Sequence, residues 1–159
     1  NGMLNIGEQI FISDYGAGYV KDIYDEESSN IECKYVNIYL LLDNMNFMIP
    51  INKIENYRVR KILNKAELEV ILNIIGSNSD FIERNWNNRY RSNKKKIQNG
   101  NALEMCEVIR DLYYLQKKGM LPPGEVKILE RVEGMVASEI MLAFGLNMEQ
   151  ALYKIRNLV

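Results

Sequence analysis

In the stretch RNWNNRYRSNKKK, residues 84–96, the only tryptophan of the chain, Trp86, stands inside its densest cluster of positive charge. Six cations, Arg84, Arg89, Arg91, Lys94, Lys95 and Lys96, follow Glu83, and no further acid interrupts them. Cations at this density can neutralise backbone phosphates while an aromatic wedge touches bases, the combination used by proteins that bind the minor groove or a DNA fork. Asn85, Asn87 and Asn88 can donate to minor-groove acceptors and leave the indole with little apolar company within one turn. The same residues fit a plainer arrangement, a solvated helix face with Trp86 turned inward, because Ile82, Trp86, Tyr90 and Ile97 recur near helical spacing. Residue types alone leave both readings of Trp86 open.

Other chemistries are thinly represented. The chain has no histidine, and its two cysteines, Cys33 and Cys106, lie far apart without a CxxC spacing. Most metal sites, the commonest general base and a disulfide framework are thereby disfavoured, so neither an enzyme nor a cofactor is expected. Both cysteines read as small buried apolar residues. Glu107 and Asp111 stand one helical turn apart, but a pair of that kind is usually surface charge. No apolar run approaches the roughly 18–20 residues that span a bilayer, and no charged and apolar leader is visible, so a cytoplasmic location away from membranes is expected. Met3 reads as the natural start.

The elements that must position Trp86 separate into two regions. Residues 1–60 carry five basic against nine acidic side chains and residues 61–159 fifteen against twelve, which suggests different partners for the two parts. The first region reads as short strands over residues 8–12, 19–25, 31–42, 47–50 and 57–62, broken by turns in which Gly16 and Gly18 can supply positive φ. Val36, Ile38, Leu40 and Leu42 share one face of the third strand, with Asn37 and Tyr39 on the other. The segment NFMIP can lie at a sheet edge and pair with a partner strand, with Tyr35 and Tyr39 as exposed contacts. A small, strongly curved antiparallel barrel of the SH3 or Tudor kind is the economical solution for so few residues.

Beyond residue 64 the period becomes helical. Asn64 with Glu67 and Asn147 with Gln150 have capping-box spacing, Asn101 can cap a third helix, and Pro122 and Pro123 open a fourth. The second helix is expected to begin near Asp80 and run through Trp86 to about Gln98. Leu103, Val108, Leu112 and Leu115 supply the third helix's apolar residues, and Val126, Leu129, Val132, Val136 and Ile140 the fourth's. The expected fold is α+β, a barrel over residues 3–62 followed by an all-α bundle of about five helices over 64–159, with no long linker between them.

Several segments resemble, in order and spacing, motifs of the CarD/CdnL transcription regulators: NIGEQIFISDYGAGYV, MIP after a strand, WNNRYRSNKKKIQNG, EVIRDLYY and LPPGEVKILERVEGMVASEI. The resemblance spans residues 3–143. It implies a Tudor-like module that binds the β subunit of bacterial RNA polymerase and a helical module that contacts promoter DNA at the upstream edge of the bubble, stabilising the open complex. By the same resemblance Trp86 is the wedge and Arg89 and Arg91 contact the DNA backbone; the neighbouring Arg84 and Lys94 are expected to join them, and Glu26, Glu27, Met48 and Ile49 are the positions expected to face the polymerase. A nucleoid-associated monomer without cofactor is expected. Met48 stands where the family often has a basic side chain, so polymerase contact transfers as a property of the module. An adaptor of the transcription or repair machinery, without DNA wedging, is the alternative.

Overall fold

A computed structural model of the chain describes residues 4–28 and 31–159, and side chains for residues 4–25 and 34–159. Five strands come first: β1 (Gln9–Ile12), β2 (Gly16–Ser28), β3 (Ile31–Leu40), β4 (Met45–Pro50) and β5 (Val59–Lys61), the last two joined by a 3-10 turn over Ile51–Asn56. They form one antiparallel sheet in the order β4-β3-β2-β1-β5. The sheet is open where closure into a barrel was expected. β5 contributes only three residues, all paired to β1, and the 3-10 turn intervenes where β4 and β5 would have to meet.

Alternation along β3 holds over Val36, Ile38 and Leu40, which are buried with Ile10, Ile12, Val20 and Ile49 in a small core. Tyr15, Phe47 and Tyr57 close its side, with Tyr15 and Phe47 centroids 4.7 Å apart and Phe47 and Tyr57 edge-on at 5.3 Å. Leu42 lies beyond the strand and packs on Gly134, where an added Cβ would come within 2.6 Å of its Cδ1. Gly16, where the turn after β1 enters β2, has φ of +97°, a conformation that favours glycine. Gly18 serves another purpose: a Cβ there would stand 2.1 Å from the carbonyl oxygen of Tyr39, so only glycine lets β2 and β3 approach this closely.

The helices are α1 (Lys65–Leu72, continued by a 3-10 turn over Asn73–Gly76), α2 (Trp86–Asn99), α3 (Ala102–Lys117), α4 (Pro123–Phe144) and α5 (Met148–Arg156). The capping boxes of Asn64 with Glu67 and Asn147 with Gln150 form as their spacing predicts, and the Asn101 side chain accepts from the Glu104 amide. α4 is the central element. Leu129, Val132, Val136 and Ile140 are buried, each worth roughly 1.5–3 kcal/mol, while Val126 is only half-buried. On α3, Val108, Leu112 and Leu115 are buried, but Leu103, in the first turn, faces solvent.

Sheet and helices share their packing. Both faces of β1 are covered: Ile10 and Ile12 enter the sheet's own core, while Phe11 between them enters the helical core with Ala17. The Ala17 amide donates to Ser138 Oγ at 2.9 Å. Arg60 of β5 meets Glu139 of α4 through two bonds of 2.7 and 2.8 Å, stands over the Phe11 ring at 4.4 Å, and leaves Glu139 free to accept the Leu63 amide at 2.8 Å. Leu63 is followed at once by the cap of α1, so the chain passes from sheet to helix without a linker. Among the described residues, no helix is long and apolar enough to cross a membrane.

Candidate nucleic-acid interface

Trp86 is the first residue of α2, six residues later than the expected start near Asp80. Asn85 ends the preceding extended segment, with ψ of 112°, and its side chain accepts from the Asn88 amide at 3.1 Å. The segment before it is held by side chains instead of helical hydrogen bonds. Arg110 donates to Ser77 Oγ and Ser79 Oγ at 3.3 and 3.4 Å, and Arg89 donates to the Glu83 carbonyl at 2.8 Å.

The position of Trp86 on α2 reconciles its two sequence readings. Arg89, Asn93 and Ile97 form the buried line of the helix, and with about 100° per residue Trp86 is in phase with that line. It lies one turn N-terminal to the first buried member, where no element covers it, and the residue is 57% exposed. The ring borders an open groove of about 1110 Å3 between residues 77–84, the end of α3 and Met120.

The cations divide. Arg84, Arg91, Lys94 and Lys95 are exposed, whereas Lys96 is half-buried beside Glu107 at 3.9 Å. Arg91 donates to Asn88 Oδ1 at 3.0 Å and Lys94 stands over the Tyr90 ring at 5.5 Å; both arrangements leave the charge at the surface. Arg84 adjoins the N-terminus of α2, whose exposed amides and dipole add positive potential. Arg91 lies roughly 140° around the helix from Trp86, so the ring and the lysine-rich face point to different sides of α2.

Arg89 does not join this surface. It is buried, and its guanidinium is held by both carboxylate oxygens of Glu125 at 2.6 and 2.5 Å. The Glu125 hydrogen bonds raise its pKa, and a charge so occupied inside the protein is not offered to a phosphate. Its place in the expected backbone-contacting set is therefore replaced by a positioning role: one residue grips α4 and the backbone leading to Trp86.

The residues expected to face the polymerase also separate. β4 is an edge strand whose sheet partner is β3 alone, and Met48 on it is 55% exposed, with the Tyr24 hydroxyl donating to its sulfur at 3.0 Å. Ile49 points the other way into the sheet core, 1% exposed, so its side chain is not available to a partner. The side chains of Glu26, Glu27 and Cys33 lie outside the described residues. Tyr24 stacks on Tyr35 and Tyr19 meets Tyr39 at a tilt of 42°, with centroids 5.8 and 5.7 Å apart, making aromatic pairs across β2 and β3.

Sequence reasoning passed over three buried carboxylates on α4: Glu125, Glu133 and Glu139. Each meets an arginine from another element, Arg89 of α2, Arg156 of α5 and Arg60 of β5. Glu125 and Glu139 fall on the same helical line as Leu129, Val132 and Val136, and an acid in register with an apolar stripe is the signal that could have exposed them. Tyr113 donates to Glu133, and burial followed by that carboxylate pushes the phenol up to about 12. The exposed aromatics Phe81 and Tyr114 were also missed, because neither stands inside the cationic run.

Among the described residues no reactive constellation accompanies these groups. Burial, with Glu139 and Glu107 nearby, pushes the Cys106 thiol up to about 12, so it is no nucleophile at neutral pH. Asp111 accepts from Arg110 at 3.0 Å and Glu107 lies beside Lys96, so the two carboxylates serve separate ion pairs. Among the described residues no group of three potential metal ligands occurs.

Comparison with known proteins finds two matching family models along the chain. Residues 4–63 match the model of the CarD-like/TRCF RID domain, and residues 70–156 match the model described as CarD, C-terminal domain. A protein of Bacillus subtilis (strain 168) named "Putative transcription factor YdeB" is 30% identical over 148 residues, covering 93% of this chain and 97% of that protein.

Proposed function

Because this chain belongs to the CarD/CdnL family and is a transcription-associated regulator, we propose that it docks on the RNA polymerase β subunit and stabilises the promoter open complex at the upstream fork of the bubble. The observation that carries this reading is the exposed indole of Trp86 at the free N-terminal end of a helix that contains no acidic residue. A core tryptophan would be covered, and a merely solvated face would not hold a large ring in water beside cations.

Docking uses the open edge of the sheet. β4 offers unpaired backbone groups along one side and the exposed thioether of Met48, which suits strand addition by a partner. Once bound there, the helical region is held near the melted junction at high effective concentration, so modest DNA affinity is sufficient. The shared packing of β1 with α4 makes the approach directional, since the sheet cannot turn without displacing Phe11 and the Arg60–Glu139 pair.

At the fork, Trp86 enters the distorted base step and opposes re-annealing. Arg84 and the amide end of α2 meet the phosphates beside it, while Arg91 and Lys94 neutralise phosphates farther along. Arg89 acts through Glu125 and the Glu83 carbonyl, fixing where the ring stands. Stacking or wedging on the order of 1–3 kcal/mol corresponds to a roughly five- to hundredfold longer-lived open complex. The lifetime of promoter complexes with purified polymerase tests this directly: wild type prolongs it and Trp86→Ala does not. Equal lifetimes with the two proteins would remove the wedge.

A further inference from the structure

Beside Trp86 lies the groove bordered by residues 77–84 and the end of α3, whose lining does not include Arg91. Its apolar lining is unusual for a surface: Phe81 is 72% exposed, Tyr114 52% and Met120 62%. Together with Trp86 these side chains line one continuous depression, larger than the roughly 300–1,000 Å3 of a typical small-molecule site. Its other lining residues include Lys117 and Lys118, for which no acidic partner exists among the described residues. Lys118 already stands over the Tyr114 ring at 5.5 Å, which places a cation and a π face together. Asp80 and Glu83 also border the groove, and the Glu83 carboxylate is occupied by the Asn88 amide group at 3.1 Å.

Exposed aromatic faces interleaved with lysines are what an unpaired nucleotide strand requires, the rings for its bases and the cations for its phosphates. A double helix cannot use them in this way, because its base faces are covered by neighbouring pairs. We infer that this groove is a single-strand site, in which Phe81 and Tyr114 receive bases of the DNA strand unpaired beyond Trp86, while Lys117 and Lys118 hold its backbone. The inference rests on the wedge reading for the placement of the fork. It adds a second region of binding, with Trp86 separating the duplex from the captured strand.

The groove is held open by its own hydrogen bonds. Arg110 ties Ser77 and Ser79 to α3, and Arg89 ties the Glu83 and Arg84 carbonyls to α2, so Phe81 sits on a segment fixed at both ends. Neither Phe81 nor Tyr114 fills a core, so replacing both by alanine is expected to leave the helices intact.

Trp86, as the sole tryptophan, reports on the groove it borders. The test titrates the full chain at low salt with oligodeoxythymidine of about ten nucleotides, within the site sizes of comparable single-strand binders, while following indole fluorescence. Saturable quenching is expected. The Phe81→Ala/Tyr114→Ala variant, checked for unchanged helix content by circular dichroism, is expected to bind the single strand about tenfold more weakly and a blunt duplex within about twofold of wild type. Lys117→Glu/Lys118→Glu gives an independent variant with the same expected selectivity. Absence of saturable quenching, equal single-strand affinity in the variants, or an equal loss for single strand and duplex each overturns the site. The wedge is judged separately by the open-complex lifetime of Trp86→Ala, because the groove variants retain the indole.

Discussion

α2 and α4 handle charge in opposite ways. α4 buries three glutamates, and each is satisfied by an arginine delivered from a different element. α2 carries five cations and no acid, and among them Arg89 alone is buried against a carboxylate. Charge on α4 therefore joins elements to one another, whereas most of the charge on α2 remains available for an external polyanion. The difference follows from position: the three glutamates lie on the covered side of α4, so each must find a partner, while α2 lies at the margin with one face in water.

The two behaviours meet at Arg89 and Glu125, which supplies the largest expected effect. Removing one member of a buried pair leaves the other charge uncompensated and costs about 3–5 kcal/mol, which for a protein of this size lowers Tm by on the order of 10 °C. Glu125→Ala and Arg89→Met should both show this loss in denaturant or thermal unfolding. The double variant Arg89→Met/Glu125→Leu should recover much of it, since a hydrophobic pair of similar volume carries no desolvation penalty. A phosphate-binding arginine would behave differently, losing DNA affinity with stability unchanged.

Trp86 is expected to show the reverse pattern. Trp86→Ala should shorten open-complex lifetime by roughly five- to hundredfold, corresponding to 1–3 kcal/mol, while its unfolding free energy stays within about 0.5 kcal/mol of wild type. A large loss of stability would mean that the ring belongs with the α4 core after all. Arg89 and Trp86 are three residues apart, so opposite outcomes at the two positions would draw the boundary between core and interface within a single helical turn.

This boundary explains what could be read from the sequence and what could not. The caps at Asn64, Asn101 and Asn147 are local devices, complete within four residues, and they form as their spacing predicts. Burial along β3 was equally legible, because alternation needs no knowledge of the neighbouring strand. The fate of Arg89 was not legible, since its carboxylate lies 36 residues away on another helix. Nothing within the run RNWNNRYRSNKKK distinguishes it from Arg91. Openness of the sheet was hidden for a similar reason: it depends on whether two edges meet, which no single strand encodes. The start of α2 was missed because Ser77, Ser79 and the Glu83 carbonyl are held by arginines outside that segment, satisfying it without a helix.

The exposed face of α2 supplies a smaller, graded test. Arg91→Ala/Lys94→Ala should weaken duplex binding to a similar extent for different sequences and reduce the slope of log affinity against log salt by about 2, one for each phosphate left without its cation. Lys96→Ala should change the slope less, because Lys96 is half-buried and shares its charge with Glu107 at 3.9 Å. If all three lysine and arginine positions contributed equally, the pairing geometry would have no bearing on which cations DNA meets.

The smallest effect concerns the one arginine of α4 that reaches outward. Arg131 donates to both Asp43 oxygens, at 2.7 and 3.0 Å, but the side chains are 39% and 33% exposed, against 8% and 2% for Arg89 and Glu125. Solvent screening limits such a pair to roughly 0–1 kcal/mol, so Arg131→Ala should cost far less than Glu125→Ala although both remove an ion pair from α4. Its pH dependence carries the sign. The Arg131 hydrogen bond holds the Asp43 carboxyl below its ordinary value of 3.8, so the folded state binds this proton less readily than the unfolded chain. The contribution is present above the ordinary carboxylate value and is lost as pH falls through the lowered, folded value. Urea unfolding of wild type and Arg131→Ala should therefore differ most near neutral pH and converge in acid. Convergence should stop short of identity, because Arg131 also donates to the Asp14 carbonyl at 2.8 Å, a bond that no proton removes. A difference that grew in acid would require Asp43 to be held above its ordinary value, contrary to an exposed carboxylate gripped by a guanidinium.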